Sequence, residues 1–270
     1  MSERFVTGLE QAWEGILDTL SALPAGEKSG GWLAATPCPE WTVFDVAAHL
    51  GALESQFQGL SQPDVPEDPS GGIDAWTAAG VVARRDWSPA DVIAEIRKAS
   101  TVQLERLRAL DEAGWEEPAM GPLGETTQRG LAEFRIFDVY LHLLDIRAGL
   151  GVPLAPEREP VACEVCVDRA VNLTPWGAVK KAGITDDVRI RLDLAGIGGR
   201  TLDVVLEGGR GRIEDPADAP TTAGNDLVTG TALAYLVAVT GRPGVVQAAG
   251  GVYGVGPAAT RLLEGYRVFG

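Results

Sequence analysis

The sequence contains no run of 18 or more apolar residues, so it predicts no transmembrane helix. Its first residues, Met1-Ser2-Glu3-Arg4, also lack the basic start and the apolar stretch of a signal peptide. From these two absences we expect a cytoplasmic protein.

Cysteine is scarce, with only Cys38, Cys163 and Cys166 in the chain. So few cysteines, in an odd number, argue against a disulfide framework and fit a reducing compartment. Cys163 and Cys166 have the C-x-x-C spacing of redox and zinc sites, but no second pair completes a four-sulfur site. We interpret them as ordinary buried or half-buried residues of a helix.

Positive charge is also in short supply, since 23 Lys and Arg against 38 Asp and Glu give a formal net charge of −15. The acidic residues are spread along the chain, so the protein should repel phosphate backbones and anionic lipids. We expect neither nucleic acid nor membrane among its partners. The 45% apolar content over 270 residues is sufficient for two packed domains of ordinary size.

The first 150 or so residues show the apolar periodicity of helices. The predicted helices are residues 3–22, a segment that begins at Thr42, a segment from Ser88 to Leu110, and residues 127–150. Thr42 and Ser88 are N-cap residues, and Asp45 completes a capping box with Thr42. Residues 61–73 are rich in Pro, Asp, Ser and Gly and predict a loop. Four helices of this length predict a four-helix bundle.

After Pro160 the pattern changes to shorter segments. A helix near 161–173 precedes two alternating segments, 188–194 and 201–206, which predict a hairpin. The remaining predicted elements are helices at 226–239 and 257–263 and a short strand at 245–248. Together they predict a small α+β domain built on an antiparallel sheet.

The chain has only two histidines, His49 and His142, and both fall on predicted helices. Asp138 lies one turn before His142, so the carboxylate and the imidazole point the same way. Two ligands from one helix and a third from a neighbouring helix can build a metal site inside a bundle. Three ligands leave a coordination position open, as in catalytic sites. Spacing alone also allows a hydrogen-bonded core histidine and a local ion pair.

Two motifs resemble those of a known family. Residues 37–50, PCPEWTVFDVAAHL, resemble the C-x-x-W-T-v-x-D-v-x-a-H-L signature of the mycothiol-dependent maleylpyruvate isomerase family, within the DinB-like superfamily. Residues 135–151, RIFDVYLHLLDIRAGLG, resemble its R-x-x-D/E-x-x-x-H-x-x-D-i-R-x-a-l-G motif. The resemblance extends to residues 175–183 and the hairpin that follows, which are similar to the family's smaller sterol-carrier-like domain.

The resemblance implies a two-domain α+β protein, with a DinB-like metal-binding four-helix bundle over residues 1–153 and a sterol-carrier-like α+β domain over residues 154–270. It implies that His49, Asp138 and His142 hold a divalent metal, with zinc as the expected ion, and that the metal activates mycothiol as thiol cosubstrate. From it we expect S-transfer to an electrophilic small molecule, or cis-trans isomerisation of a maleylpyruvate-like substrate. We place S-transfer slightly ahead, because nothing in the sequence identifies a maleylpyruvate pocket.

Several residues near the motifs have two interpretations. Asp45 is either a fourth metal ligand or only the helix cap, and we favour the cap. Asp145 either orients the imidazole of His142 or pairs with Arg135 or Arg147. We interpret Trp41 as a core anchor and Cys38 as a packing residue at the entrance of the second helix.

Arg242 is the candidate for binding an anionic group of the thiol or of the substrate. The alternative is an ordinary surface arginine after a helix.

Two other functions are consistent with the same three ligands. Two histidines and one carboxylate also form the facial triad of ferrous oxygenases. In a non-catalytic protein, the metal would stabilise the bundle and the second domain would carry an apolar ligand or contact a partner protein. The sequence predicts neither the electrophile nor the oligomeric state.

Overall fold

The computed structural model of the chain describes residues 2–24, 26–63, 72–121, 124–216 and 226–268. By spatial proximity, the chain divides into two compact units, Met1–Pro153 and Leu154–Gly270. Among the described residues, no helix combines the length and the apolar character needed to span a bilayer.

The first unit is mostly helical in its described residues. Its long helices are α1 (Ser2–Ser21), α2 (Val43–Phe57), α4 (Pro89–Arg108) and α6 (Gln128–Gly149). The shorter elements are α3 (Gly72–Val82), α5 (Glu112–Trp115) and an antiparallel hairpin of β1 (Pro118–Gly121) and β2 (Gly124–Thr127). Helices α1 and α2 each pack against both α4 and α6, as four helices of a bundle do.

The starts of α2 and α4 are fixed by local chemistry. Thr42 and Asp45 form a capping box, in which each side chain bonds the other residue's backbone N–H, and Ser88 and Asp91 form a second one. These bonds satisfy N–H groups that have no partner inside the helix. The capping role predicted for Asp45 is therefore confirmed.

Helix α6 ends where Gly151 adopts a positive φ of 66°, a conformation that glycine reaches without strain. The helix lies close to the segment that precedes α2. The backbone of Gly149 is so near this segment that a Cβ at that position would be only 2.8 Å from the carbonyl oxygen of Ala35. This close approach brings residues 35–42 alongside the last turns of α6.

Helix α3, the one-turn helix α5 and the β1–β2 hairpin of the first unit escaped sequence prediction. Helix α3 includes residues 72 and 73, which the sequence assigned to a loop, while residues 64–71 of that loop lie outside the described residues. Its Gly- and Ala-rich sequence has no clear amphipathic stripe to reveal a helix. The β1–β2 hairpin was missed because its strands have four residues each.

The second unit combines helices with a sheet. Its helices are α7 (Pro160–Asn172), α8 (Thr174–Lys180), α9 (Ala232–Val239) and α10 (Pro257–Gly265). Its strands are β3 (Val188–Ala195), β4 (Thr201–Glu207), β5 (Arg210–Glu214), β6 (Asp226–Thr231) and β7 (Val252–Val255). The strand order among the described residues is β5-β4-β3-β6-β7.

The prediction of an antiparallel sheet is wrong in one respect, because the sheet contains both antiparallel and parallel strand pairs. Strands β3 and β4 form the predicted antiparallel hairpin, but β3 pairs with β6 in parallel, with Leu192 opposite Val228. Ile190, Leu192, Val204 and Val228 are buried on one side of the sheet, and α9 contacts β3, β6 and β7. The second unit therefore has an apolar core of its own.

Two further predictions in this unit are corrected. Residues 226–231, expected to begin a helix, form β6, and the helix starts only after Thr231, whose hydroxyl accepts from the backbone N–H of Ala234. Residues 245–248, expected to be a strand, lie in a 3-10 turn and the turns that follow it, while the strand is β7. Short apolar runs do not distinguish a strand from a helix by periodicity.

Candidate metal centre

Helices α2 and α6 bring together the three residues that the sequence singled out. His49 lies on α2, and Asp138 and His142 lie one turn apart on α6. The Nε2 atom of His49 is 3.9 Å from Oδ2 of Asp138, and Nε2 of His142 is 3.6 Å from Oδ1 of the same carboxylate. One ligand atom from each residue falls within 4.8 Å of the other two.

The geometry of this cluster fits a metal ion. Bonds of the length found at zinc place two ligand atoms about 3.4 Å apart around a tetrahedral ion. The observed separations from Asp138, 3.6 and 3.9 Å, exceed that value by only a few tenths of an ångström. These two separations are to different oxygens of the carboxylate, and all three residues place a ligand atom within 4.8 Å of the others.

His49 provides a second, independent indication. Both of its ring nitrogens are buried, and neither has a hydrogen-bond partner within the described part of the chain. Buried polar atoms without a partner carry a desolvation cost and are uncommon in folded proteins. A cation bound at Nε2 would remove that cost.

The partner of His142 on its other side is Asp145. Nδ1 of His142 is 3.0 Å from Oδ2 of Asp145, a fully buried carboxylate. A carboxylate at this distance holds the proton on Nδ1 and leaves Nε2 free to coordinate. Of the two interpretations left open for Asp145, the structure shows the contact with His142. Arg135 instead pairs with Asp138 and Glu54.

Cys38 also contacts this pair, which the sequence did not predict. Its thiol donates to Oδ2 of Asp145 at 3.1 Å, and its sulfur is 3.8 Å from Nδ1 of His142. The three residues form a second group that is close enough to hold a metal. Hydrogen bonding within the group already accounts for its short distances, so the His49 group is the better candidate.

Trp41 covers the histidines rather than acting only as a core anchor. Its ring centroid is 5.0 Å from that of His49 and 6.3 Å from that of His142. The indole is half-buried, so it shields one side of the site from water. A small cavity beside His49, lined by Ala52, Leu53, Gln56 and Thr77, adjoins the cluster from another side.

Burial and neighbouring charges set the protonation of the three residues. Burial lowers the pKa of His49, which keeps its imidazole neutral. Burial alone would raise the pKa of Asp138, but the Arg135 guanidinium together with His49 and His142 outweighs burial and holds that pKa well below its usual range. Burial opposes protonation of His142 as well, yet the contacts with Asp145, Cys38 and Asp138 raise its pKa to about 10. Metal binding at Nε2 therefore displaces a proton.

Comparison with known proteins agrees with the motifs. Residues 9–147, more than half of the chain, match the model of the mycothiol maleylpyruvate isomerase N-terminal domain. The chain belongs to this family. No curated protein matches the chain.

Two solved structures are similar to the whole chain. The crystal structure of the mycothiol-dependent maleylpyruvate isomerase superposes with a TM-score of 0.57 at 14% identity, covering 94% of this chain and 92% of that one. A variant of that enzyme with a histidine replaced by alanine superposes with the same TM-score at 15% identity and the same coverage. At such low identity the similarity establishes a shared fold.

The other residues singled out in this family member lie as follows. Arg242 follows α9 and is buried, with its guanidinium donating to the carbonyl oxygen of Thr240 at 2.8 Å, so it is not the ordinary surface arginine of the alternative interpretation. Cys163 and Cys166 are buried on α7, as predicted. Glu54, a buried acid on α2 that bonds Arg135, was missed because its position within an apolar helix gives no signal of its partner.

Proposed function

We propose that this protein is a metal-dependent enzyme that activates a low-molecular-weight thiol, mycothiol, for reaction with an electrophilic small molecule. The observation that carries the proposal is His49, whose buried and unpartnered nitrogens lie beside Asp138 and His142 in the described part of the chain. Membership of the mycothiol maleylpyruvate isomerase family supports the choice of thiol.

A divalent ion held by His49, Asp138 and His142 would act as a Lewis acid that favours the thiolate over the thiol at neutral pH. Three protein ligands leave a position for that sulfur. The chain's own thiol near the site, Cys38, hydrogen-bonds Asp145 and lies on the Nδ1 side of His142. We therefore assign the reacting sulfur to the small molecule.

The neighbouring side chains have distinct roles in this proposal. Asp145 fixes the tautomer of His142, since it accepts from Nδ1. Trp41 lies against both imidazoles and limits the access of water. Arg242 is proposed to bind an anionic group of the thiol or of the substrate.

Two reaction types follow from the same activated thiol. Addition to a cis double bond conjugated to a carbonyl, followed by rotation and elimination, returns the thiol and a trans product. Displacement at an electrophilic carbon instead forms a carbon–sulfur bond as the bond to the leaving group breaks, so that a haloarene gives a thioether and a halide ion. The fold shared with the maleylpyruvate isomerase favours the isomerisation, and S-transfer is the second candidate.

The test measures turnover of purified protein with zinc and mycothiol, using either a cis-alkenoyl acid of the maleylpyruvate type or a haloarene as electrophile. We expect metal-dependent product with one of them, and His49→Ala should lower turnover by more than about 100-fold, since even residues behind a metal ligand contribute 10 to 100-fold. No metal-dependent product with any electrophile would refute the proposal. If the wild-type protein shows no turnover and His49→Ala lowers its stability, the metal has a structural role.

The identity of the metal has its own measurement. We propose zinc, because two imidazoles and one carboxylate with an open position form a common catalytic zinc site. Elemental analysis of protein prepared without oxygen should find zinc. Iron in its place would favour the oxygenase-type facial triad.

A further inference from the structure

A buried ion pair lies directly behind the candidate metal ligand Asp138. Arg135 on α6 is 1% exposed and Glu54 on α2 is fully buried. Nε of Arg135 donates to Oε2 of Glu54 at 2.9 Å, and Nη1 donates to Oδ2 of Asp138 at 2.6 Å. The guanidinium thus connects α2 to the carboxylate on α6, and its carbon lies 5.4 Å from the centre of the Phe57 ring.

Stability alone does not account for this pair. Removing an arginine and a glutamate from water is costly, and apolar residues of similar volume often stabilise a protein as much or more. This desolvation cost falls on Arg135, whose guanidinium contacts the candidate ligand Asp138. The contact with Asp138, rather than the burial of the pair, points to a role in the site.

The two oxygens of Asp138 differ in their contact with Arg135. Oδ2 accepts the short hydrogen bond from Arg135 and also lies 3.9 Å from Nε2 of His49, whereas Oδ1 lies 3.6 Å from Nε2 of His142. A charge-assisted bond of this kind fixes the plane of the carboxylate. An ion between the imidazoles would then meet one free oxygen.

We propose that Arg135, anchored by Glu54, is a positioning residue that restricts Asp138 to one metal-binding oxygen. The proposal rests on the metal site of the proposed function. Glu54, Arg135 and Asp138 together carry a single negative charge, so Glu54 keeps the guanidinium from fully cancelling the charge of the ligand. The two residues set both the denticity and the donor strength of Asp138.

The first unit contains a matched control pair, Arg84 and Glu95. Arg84 is fully buried, and its Nε and Nη2 donate to the two carboxylate oxygens of Glu95 at 2.6 and 2.5 Å. Its further partners are Gln62 and the carbonyl of Gly80. This pair has the same charges as the Arg135 pair and an equally buried arginine, its acid is slightly more exposed, at 10% for the Glu95 side chain, and it has no contact to Asp138.

The experiment compares Arg135→Gln with Arg84→Gln in the full chain. Three quantities are measured: the visible absorption of the cobalt(II)-loaded protein, zinc affinity by chelator competition, and the urea unfolding of the metal-free protein. We expect Arg135→Gln to change the cobalt spectrum and to lower zinc affinity by about 10 to 100-fold. Arg84→Gln should keep the wild-type spectrum and zinc affinity even where it lowers stability.

Glu54→Gln keeps the packing and decides the question if Arg135→Gln does not fold. Loss of the anion lets Arg135 withdraw more charge from Asp138, so zinc affinity should fall by up to about tenfold and the cobalt spectrum should shift. A wild-type spectrum and affinity in the folded variant, or an equal change in Arg84→Gln, would overturn the positioning role. Failure of the wild-type protein itself to bind metal would refute the proposed function and this inference together.

Discussion

His142 lies between two carboxylates, and each ring nitrogen has its own partner. Nε2 faces Asp138 at 3.6 Å, whereas Nδ1 is 3.0 Å from Asp145. The first contact leads into the His49 cluster and the second leads to Cys38. A metal at this histidine therefore has two alternative ligand sets, which a substitution of Cys38 can tell apart.

We expect Cys38→Ser to bind metal with an affinity close to that of the wild-type protein. The serine hydroxyl can still donate to Asp145, and none of the three proposed ligands changes. Zinc affinity is measured by chelator competition. The control variant is His49→Ala, which removes one of the three proposed ligands. If Cys38→Ser abolishes metal binding and His49→Ala does not, the ion belongs to Cys38, Asp145 and His142.

Sequence reasoning found the candidate site because it depends on local spacing. His142 and Asp138 are one helical turn apart, and the motif around His49 pointed to it as their partner. The contact of Cys38 with Asp145 joins residues 107 positions apart, and Glu54 meets Arg135 across 81 positions. Such contacts depend on how the helices pack, which residue types alone do not specify.

At the level of elements, the position of His49 depends on where α2 begins. The capping box of Thr42 and Asp45 fixes this start, and the backbone N–H of Thr42 donates to Oδ2 of Asp45 at 2.9 Å. The same chemistry starts α4 at Ser88. Both starts were predictable, because a capping box is a pattern of neighbouring residues.

Removal of either cap should destabilise the first unit. We expect Thr42→Ala and Ser88→Ala each to lower the free energy of unfolding by about 1 kcal/mol, since each leaves backbone N–H groups without their partner. Urea unfolding of the metal-free protein measures the loss. A stability unchanged by both substitutions would show that these caps do not hold the helix starts.

Elements without such local signals were the ones that sequence reasoning missed. Strand β6 was assigned to a helix because its short apolar run continues into α9. Strand β7 has four residues and lies at the edge of the sheet. Helix α3 has neither a marked apolar stripe nor a recognisable cap in its sequence.

For the whole molecule, the α+β class was predictable and the sheet topology was not. The change from helical to alternating patterns after Pro160 marks the second unit. The parallel pairing of β3 and β6 joins strands that are more than 30 residues apart in the sequence. Strands β4 and β5 lie between them along the chain but not in the sheet. No turn sequence specifies such a pairing, as one does for the hairpin of β3 and β4.

All three proposed ligands belong to the first unit, and we propose that residues 1–153 fold as a domain. The isolated fragment should then bind one metal ion with an affinity close to that of the full chain, because its core and its ligands lie within it. Circular dichroism and zinc titration of the fragment measure this. A folded fragment that binds no metal would show that the second unit is needed to complete the site.

We propose that a metal held by His49, Asp138 and His142 binds the sulfur of mycothiol. The most direct measurement is the near-ultraviolet absorption of the cobalt(II)-loaded protein as mycothiol is added. We predict a new sulfur-to-cobalt charge-transfer band that saturates at one mycothiol per chain and is absent from His49→Ala. A cobalt-loaded wild-type protein whose spectrum does not respond to mycothiol would contradict the account.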